Sequence, residues 1–355
     1  MVQFFTLTAV LTLVSIVHAQ CGAGTPDAKV TGSGGSFTAT RGANRVYSGS
    51  NYHAAIQAAL DSIQSGQRVS VIASGSIGTS TISIGSGKIF EGCGTINAAL
   101  KNGRGAIESL NTQGTQIPYL TMTGDPYFGL RFYGTRDLVL GQITMNMGGK
   151  TIGIRFDRDQ AANSNVKMDV IRVTGAGGHA VETWNIDGLE INQVIARNVG
   201  ESALLLQKTT NAKVKLVDGE NVGKGTGYAT FRMANNNGQN KNGDYKTNIY
   251  IDKVVSRGGG RGVFCVSQSG AVVIESVDLA NNGNNAILIE NCYNVAIRGG
   301  TVNGGGEVRL SARTEFPKNR DISLTLTVNN NSVRESPCGD NTTFNIKGNA
   351  KKTVC

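Results

Sequence analysis

The feature that most constrains the fold of this chain is a short pattern that recurs along its middle and C-terminal parts. An apolar residue, one skipped residue and a second apolar residue precede an Asn/Gly-rich turn and another apolar run. The first runs are anchored at Leu138, Val166, Leu189, Val214, Ile249, Val272 and Val295. The steps between them are about 28, 23, 25, 35, 23 and 23 residues, which is typical of stacked repeats. Units this short cannot bury their own apolar face, so the pattern predicts a β-solenoid.

The second apolar run follows the first at a nearly constant distance. Val181, Leu204, Phe264 and Ile287 each lie about 15 residues after their anchor. This offset predicts one parallel strand per run and a parallel β-helix from about Leu120 to Leu324. The residues predicted to stack inward are Ile171, Val173, Leu204, Leu206, Phe231, Met233, Ile287 and Ile289.

Composition supports this all-β prediction. The chain has 48 glycines and 5 prolines among 355 residues, and Asn-Gly, Gly-Gly and Asn-Asn pairs recur where strand-like runs end. Such residues tolerate the positive φ angles of tight turns. The glycines lack the three-residue period of collagen, and the regular aliphatic runs, with 17% charged residues, exclude disorder. The unbroken repeat predicts one domain over residues 20–355.

The N-terminus predicts export. Residues 4–17 are apolar and uncharged, and Val17-His18-Ala19 is a small-residue cleavage pattern, so residues 1–19 are predicted to be a signal peptide. The protein is therefore expected to be secreted and extracellular. Six cysteines suit an oxidising compartment. They allow fifteen connectivities, among which Cys21 with Cys93 and Cys338 with Cys355 are candidates.

The tail, about residues 329–355, is polar. A disulfide between Cys338 and Cys355 would staple it, and two sequons that begin at Asn330 and Asn341 are candidate glycan sites.

One helix is predicted before the repeats, at about residues 51–64. Ser50-Asn51 can begin it, and an alanine- and isoleucine-rich stripe runs to Gly66. Its position suits a cap over the open end of the solenoid core. The segment Tyr52-His53-Ala54-Ala55-Ile56-Gln57-Ala58-Ala59-Leu60-Asp61, followed by Gly92-Cys93-Gly94-Thr95-Ile96-Asn97, resembles the start of secreted pectate lyases and polygalacturonases.

That resemblance implies a right-handed parallel β-helix over most of the chain, but it does not extend to the catalytic motifs. The Asn-Thr-Asp, Asp-Asp, Gly-His-Gly and Arg-Ile-Lys motifs of polygalacturonases are not intact here, and Gly178-His179-Ala180 is the nearest approach. The clustered calcium-binding aspartates of pectate lyases are not evident either. Candidate site residues must therefore be inferred from the repeat pattern and not from family motifs.

Alternation along a strand places one outward side chain between two inward ones. The predicted outward column on the second runs is Arg155, Glu182, Leu205, Arg232, Cys265 and Leu288. Two long polar insertions follow this column, at residues 157–164 and 234–245. Long excursions from a regular scaffold usually carry function, so they predict the walls of a cleft.

The candidate catalytic residues in this cleft are Asp157, His179, Glu182 and Arg232. Asp157 and Glu182 suit the carboxylate pair of a glycosidase, which stands about 5 to 9.5 Å apart. A lyase instead needs arginines to neutralise a uronate carboxylate and a base to remove the adjacent proton. The candidate substrate-binding residues are Arg155, Lys208, Tyr228, Asn235 and Asn237.

A rival outward face follows the first runs, with charges of alternating sign that suit cross-strand pairs on a solvated surface. Its residues are Lys167, Asp169, Glu190, Lys215, Tyr250, Asp252 and Glu275.

The net charge of the chain indicates which classes of binding partner are expected. The net charge of +9 and the pI near 9.3 favour a polyanion. Without a basic run, a recognised motif or an aromatic platform, nucleic acid is not expected. No membrane partner is expected, and the solenoid is expected to be a monomer. No metal site is predicted; calcium is left open, because Asp157 and Asp159 give only two of the six to eight oxygens that calcium takes.

The sequence thus predicts a secreted carbohydrate-active protein that cleaves a uronate-containing, pectin-like polysaccharide by β-elimination. Two alternatives stay open: a glycoside hydrolase with an Asp/Glu pair, and a non-catalytic β-helix that binds glycan or a host surface.

Overall fold

The computed structural model describes residues 20–149, 151–224 and 227–355. The expected signal peptide lies outside these residues. The described chain is an all-β parallel β-solenoid of about 12 turns with one short helix. Within the described ranges, no helix is both long and apolar enough to cross a membrane.

The chain begins with three strands and the helix, which are β1 Ala28–Ser33, β2 Ser36–Arg41, β3 Asn44–Gly49 and α1 Tyr52–Ser62. The first turns contain β4 Arg68–Val71, β5 Gly75–Gly78, β6 Ile82–Ser83, β7 Ile89–Ala98, β8 Gly105–Leu110, β9 Gln116–Gly124 and β10 Phe128–Tyr133. The middle turns contain β11 Arg136–Met147, β12 Ile152–Phe156, β13 Asn163–Thr174, β14 Val181–Trp184, β15 Ile186–Arg197, β16 Leu204–Gln207, β17 Thr210–Glu220 and β18 Ala229–Ala234. The last turns contain β19 Ile249–Arg257, β20 Arg261–Cys265, β21 Ser269–Ala280, β22 Asn285–Glu290, β23 Cys292–Ile297, β24 Gly300–Asn303, β25 Val308–Ser311, β26 Arg320–Asn329, β27 Ser332–Glu335, β28 Asp340–Lys347 and β29 Lys351–Thr353.

Two sheets wind around a common core. The short-strand sheet has 12 parallel strands, which are β6, β8, β10, β12, β14, β16, β18, β20, β22, β25, β27 and β29. The other 17 strands form the long-strand sheet. It is parallel apart from the pairs β1–β2 and β2–β3 at its N-terminal end. The parallel turns extend beyond the predicted limits of 120 and 324, and the polar tail is itself built into them as β28 and β29.

The core confirms the predicted inward positions. Ile171, Val173, Leu204, Leu206, Phe231, Met233, Ile287 and Ile289 are all fully buried in one continuous hydrophobic cluster. Helix α1 adds its apolar stripe to the same cluster through Ala55, Ile56, Ala59 and Leu60. Asn51 begins the helix, because its Oδ1 accepts the Ala54 N–H at 3.0 Å.

The structure differs from the prediction at two places, one on a first run and one on a second run. Leu189 pairs with Ala212, so the fourth first-run anchor is Ala212 and not Val214. Phe264 in β20 pairs with the outward-pointing Arg232 of β18, so Phe264 points outward and Cys265 inward, the reverse of the prediction. The turn between β19 and β20 carries Gly258 and Gly259 at positive φ and crosses in one residue fewer than the turn between β21 and β22, which shifts the strand by one position.

Cys265 is instead buried in a disulfide with Cys292 on the next turn. The pairs Cys21–Cys93 and Cys338–Cys355 are confirmed. Three disulfides are typical of proteins in an oxidising compartment. The sequon residues Asn330 and Asn341 are both exposed.

Asparagines in the left-handed region directly follow four strands of the short-strand sheet, the first being Asn111 after β8. Asn185, Asn235 and Asn291, with φ of 54°, 58° and 53°, directly follow β14, β18 and β22. Asparagine tolerates this conformation better than most side chains, which explains its recurrence in the sequence. At the equivalent position after β16 stands Lys208, with φ of 43°. A lysine there is unusual and draws attention to this edge of the sheet.

Candidate functional site

The outer face of the short-strand sheet carries the predicted outward column. The pairings align Glu108, Arg131, Arg155, Glu182, Leu205, Arg232, Phe264 and Leu288 on successive turns. The two predicted insertions leave the same face, at residues 157–162 after β12 and 235–248 after β18. The column therefore divides into an N-terminal half rich in acids and bases and a C-terminal half with arginines and apolar residues.

In the N-terminal half, six side chains form a continuous series of ion pairs that we call the charge ladder; they are Arg104, Glu108, Arg131, Asp157, Arg155 and Glu182. Arg131 Nη1 lies 3.2 Å from Glu108, and its Nη2 lies 2.6 Å from Asp157. Arg155 then joins Asp157 to Glu182. Burial would raise the pKa of Glu108, but hydrogen bonds from Arg104, Gly105 and Arg131 outweigh it and lower that pKa.

Asp157 and Glu182, the predicted carboxylate pair, both accept hydrogen bonds within the charge ladder or beside it. Asp157 accepts from Arg131 on Oδ2 and from Arg155 on Oδ1. Glu182 accepts from Arg155 on Oε2, and from Trp184 Nε1 and Gln207 Nε2 on Oε1, both at 2.9 Å. Both side chains are buried. No carboxylate oxygen of this pair is left without a donor, so the geometry favours a structural role over attack on a sugar.

The C-terminal half carries two arginines that we call the open arginine pair, Arg232 and Arg261. Neither has a carboxylate within 4.0 Å among the described residues. Arg232 Nε and Arg261 Nη1 are buried without a hydrogen-bond partner. Burial lowers the pKa of both guanidinium groups. The pair therefore presents positive charge that the protein itself does not neutralise.

Beside Arg232, three further side chains form a hydrogen-bonded group. His179 Nε2 lies 2.9 Å from Glu201 Oε2, and the Ser202 N–H donates to His179 Nδ1 at 3.0 Å. A backbone donor on Nδ1 requires that the ring proton sit on Nε2, where it is donated to Glu201. His179 is thus a neutral donor with both nitrogens engaged. This arrangement suits a residue that positions Glu201 better than it suits a free base.

Tyr228 completes this group and faces Arg232. Its hydroxyl faces the Glu201 carboxylate, its ring meets His179 edge-on at 5.4 Å, and the Arg232 guanidinium lies 5.3 Å from its centroid. Burial and then the Glu201 carboxylate raise the pKa of Tyr228. Burial would raise the pKa of Glu201, yet hydrogen bonds from His179 and Tyr228 and the charge of Arg232 lower it. At neutral pH this gives a neutral phenol held against an ionised carboxylate.

A cavity of about 350 Å³ lies at the other edge of the sheet, among Arg158, Trp184, Lys208, Asn235, Asn236, Ser267, Gln268 and Phe316. It brings together the predicted Lys208 and Asn235 and links them to the ladder, because Asn235 Nδ2 donates to Gln207 at 2.6 Å. Asn237 is placed differently. It is fully buried, and its Oδ1 accepts the Thr209 N–H at 3.0 Å, which braces the inserted loop.

The rival face on the long-strand sheet is solvated and paired, in line with the cross-strand prediction. Lys167 lies 3.6 Å from Glu190, and Asp169 accepts from Gln142 and Asn192 at 2.6 Å. Glu275 pairs with Arg298 at 2.8 Å. The remaining members of this face, Lys215, Tyr250 and Asp252, are exposed.

Among residues 20–149, 151–224 and 227–355, potential metal ligands come close together at one place. The one cluster of three close ligand atoms there joins Glu91 to Cys21 and Cys93, whose sulfurs are already bonded to each other. Asp159 is exposed and paired with Arg158, while Asp157 is held by two arginines. The two aspartates considered for calcium are therefore both engaged with cations.

Sequence reasoning missed several residues of this face, chiefly Glu201, Arg131, Arg261 and Phe264. Arg131 and Glu108 lie one and two turns before the predicted column and could have been found by extending the repeat to earlier turns. Phe264 was missed because the predicted register of its strand was wrong by one residue, which placed Cys265 in the outward column instead. Glu201 follows the single Gly200 and carries no sequence signal of its own, and only the contact with His179 identifies it.

Comparison with known proteins adds information on the fold alone. No family model matches the chain, and no curated protein matches it. Two solved structures do. The A-module of mannuronan C-5 epimerase AlgE6 from Azotobacter vinelandii has a TM-score of 0.56 at 15% identity, covering 84% of this chain and 85% of that module. The AlgE4 A-module from the same organism has a TM-score of 0.42 at 12% identity, with 85% and 91% covered. The first likeness supports the β-solenoid fold of this chain.

Proposed function

We propose that this protein is a carbohydrate-active enzyme that removes the C-5 proton of a uronate residue and cleaves the polysaccharide by β-elimination. The observation that carries the proposal is Arg232, which has no hydrogen-bond or ion-pair partner among the described residues and lies beside Tyr228 and Glu201. A guanidinium is suited to bind a carboxylate through two parallel hydrogen bonds. It would withdraw charge from the carboxylate and stabilise the negative charge that develops when the adjacent proton leaves.

Tyr228 and Glu201 supply the proton transfers of this proposal. The Tyr228 oxygen takes the C-5 proton as its own proton passes to Glu201, which is ionised at neutral pH. The electrons of the C–H bond form the C-4/C-5 double bond, and the C-4–O-4 bond breaks. The proton then returns from Glu201 through Tyr228 to the departing O-4. His179 positions Glu201 through its Nε2–H.

Epimerisation at C-5 is the second candidate, because it begins with the same proton removal and differs only in how the intermediate is reprotonated. The structural neighbour with a TM-score of 0.56 is named as an epimerase that acts on mannuronan, itself a polyuronate. Its likeness to this chain concerns the fold, so the chemistry comes from the residues above. The alternative hydrolase receives less support, because Asp157 and Glu182 are saturated with donors.

One experiment separates these outcomes. Purified protein is incubated in D2O with pectin, rhamnogalacturonan, alginate and glucuronan. The readouts are absorbance of the unsaturated product, reducing ends, and deuterium at C-5. β-Elimination raises the first two together. Deuterium uptake without new reducing ends indicates epimerisation, and reducing ends without unsaturation indicate hydrolysis. If none of the three signals rises on any polymer, the proposal fails.

A further inference from the structure

Arg261 shares the unusual state of Arg232 but lies one turn further along the solenoid. It begins β20, where the register pairs it with Ala229 and places Phe264 opposite Arg232. Its Nε donates to Asn285 Oδ1 at 3.2 Å, while its Nη1 is buried and has no partner. One guanidinium edge is therefore held by the protein, and the rest is left without an acceptor.

Phe264 holds the two arginines near each other. The guanidinium carbons of Arg232 and Arg261 lie 5.4 and 4.6 Å from the centroid of this one ring, so they are at most 10.0 Å apart. Cation–π contact with a desolvated ring fixes both groups at the face. Phe264 itself is almost fully covered, and it joins Leu205 and Leu288 in an apolar cluster on the outside of the sheet.

Two like charges this close, both partly removed from water, repel each other and have lost solvation. The other arginines on this face avoid that cost. Arg309 and Arg334 both approach Glu307, at 3.7 and 2.9 Å, and Arg313 lies 3.0 Å from Glu290. Arg232 and Arg261 differ because, among the described residues, no carboxylate lies within 4.0 Å of either guanidinium. A pair of anions supplied by a ligand would complete their coordination.

We propose that Arg261 forms a second carboxylate subsite next to Arg232, so that the protein binds two consecutive uronate residues, one carboxylate on each arginine. The inference rests on the proposed function for the identity of the polymer. The two arginines lie on neighbouring turns, and the register offsets Arg261 from Arg232 by three residues along the strand direction. The preferred ligand is a block in which successive sugars both carry a free carboxylate.

The test measures binding and turnover separately. The probes are polygalacturonate and alginate, each with free carboxylates and after esterification of most of them. The Kd of wild type, Arg261→Gln and Arg298→Gln is measured by calorimetry at low and moderate salt. Arg298 is the matched control, because it is an exposed arginine paired with Glu275 on the long-strand sheet. We expect Arg261→Gln to weaken binding of the better acidic probe at least tenfold and to leave binding of its esterified form unchanged. Arg298→Gln should change neither.

Unchanged affinity in Arg261→Gln would overturn the subsite, as would a wild-type protein that binds neither acidic probe. Thermal unfolding of Arg261→Gln verifies folding. Should that variant unfold, Arg261→Lys keeps the charge but loses the bidentate fork, and it must still lose affinity for the acidic probe. Binding without turnover would refute β-elimination and leave the subsite standing. Turnover with an unaltered Arg261→Gln affinity would refute only the subsite.

Discussion

The charge ladder and the open arginine pair occupy the same face of the same sheet, yet they differ in what their charges can do. Arg131 and Arg155 each contact two carboxylates, so their positive charge is neutralised within the protein. Arg232 and Arg261 contact aromatic rings and no carboxylate among the described residues. Arginine content alone does not distinguish the two halves. The pairing state does, and it separates a structural ladder from the proposed binding site.

The largest expected effect is on catalysis by Arg232→Gln. Removal of the one guanidinium next to Tyr228 should lower kcat/KM on the polymer that wild type degrades by about 10²- to 10³-fold, because charge stabilisation in the transition state is lost. The melting temperature should stay level or rise, since an unneutralised charge is removed. A folded variant with wild-type turnover would place the site elsewhere, with the cavity around Lys208 as the next candidate.

Tyr228→Phe should follow in size. It keeps the ring that contacts Arg232 but loses the hydroxyl, so kcat should fall about 10²-fold or more while polymer affinity changes little. Steady-state kinetics combined with calorimetric titration separates the two quantities. A large loss of affinity with unchanged kcat would mean that Tyr228 only shapes the binding surface.

Substitutions in the charge ladder should lower the stability of the protein and leave turnover unchanged. Arg155→Met leaves Asp157 and Glu182 without their shared cation, and we expect a loss of about 2 to 3 kcal/mol in the free energy of unfolding, discounted for partial exposure. Urea denaturation measures this loss. The control Arg298→Met breaks only an exposed pair and should stay within about 0.5 kcal/mol of wild type. Equal stability of the two variants would show that the ladder is not structural.

The smallest expected effect is the pH dependence contributed by Glu201. Its pKa is lowered in the folded protein, so the stabilisation is present above the ordinary glutamate pKa and is lost as pH falls through the folded value. Glu201→Gln should therefore flatten the acid limb of the stability curve, by less than about 1 kcal/mol for this half-buried group. Superimposable acid limbs for wild type and variant would contradict the hydrogen-bonded arrangement of Glu201.

Much of the candidate site could be predicted from the repeat. The column Arg155, Glu182, Leu205 and Arg232 follows from period-two alternation within strands of constant spacing, and the pairings confirm it. The prediction failed where the spacing changed, at the shorter Gly258-Gly259 turn. It also could not identify Glu201, which lies in a turn, because alternation constrains strand residues only.

By itself the sequence determined the solenoid, its core and the side chains that share its outer face. Those features depend on local periodicity and on the burial of apolar residues, which every turn repeats. Only the tertiary structure decided which charges are neutralised. Arg131 meets Asp157 across 26 residues and Arg155 meets Glu182 across 27, whereas no carboxylate among the described residues lies within 4.0 Å of the Arg232 guanidinium. Coulombic and hydrogen-bond energies change steeply over a few ångströms, and those distances are set by side-chain packing between turns, which periodicity does not encode.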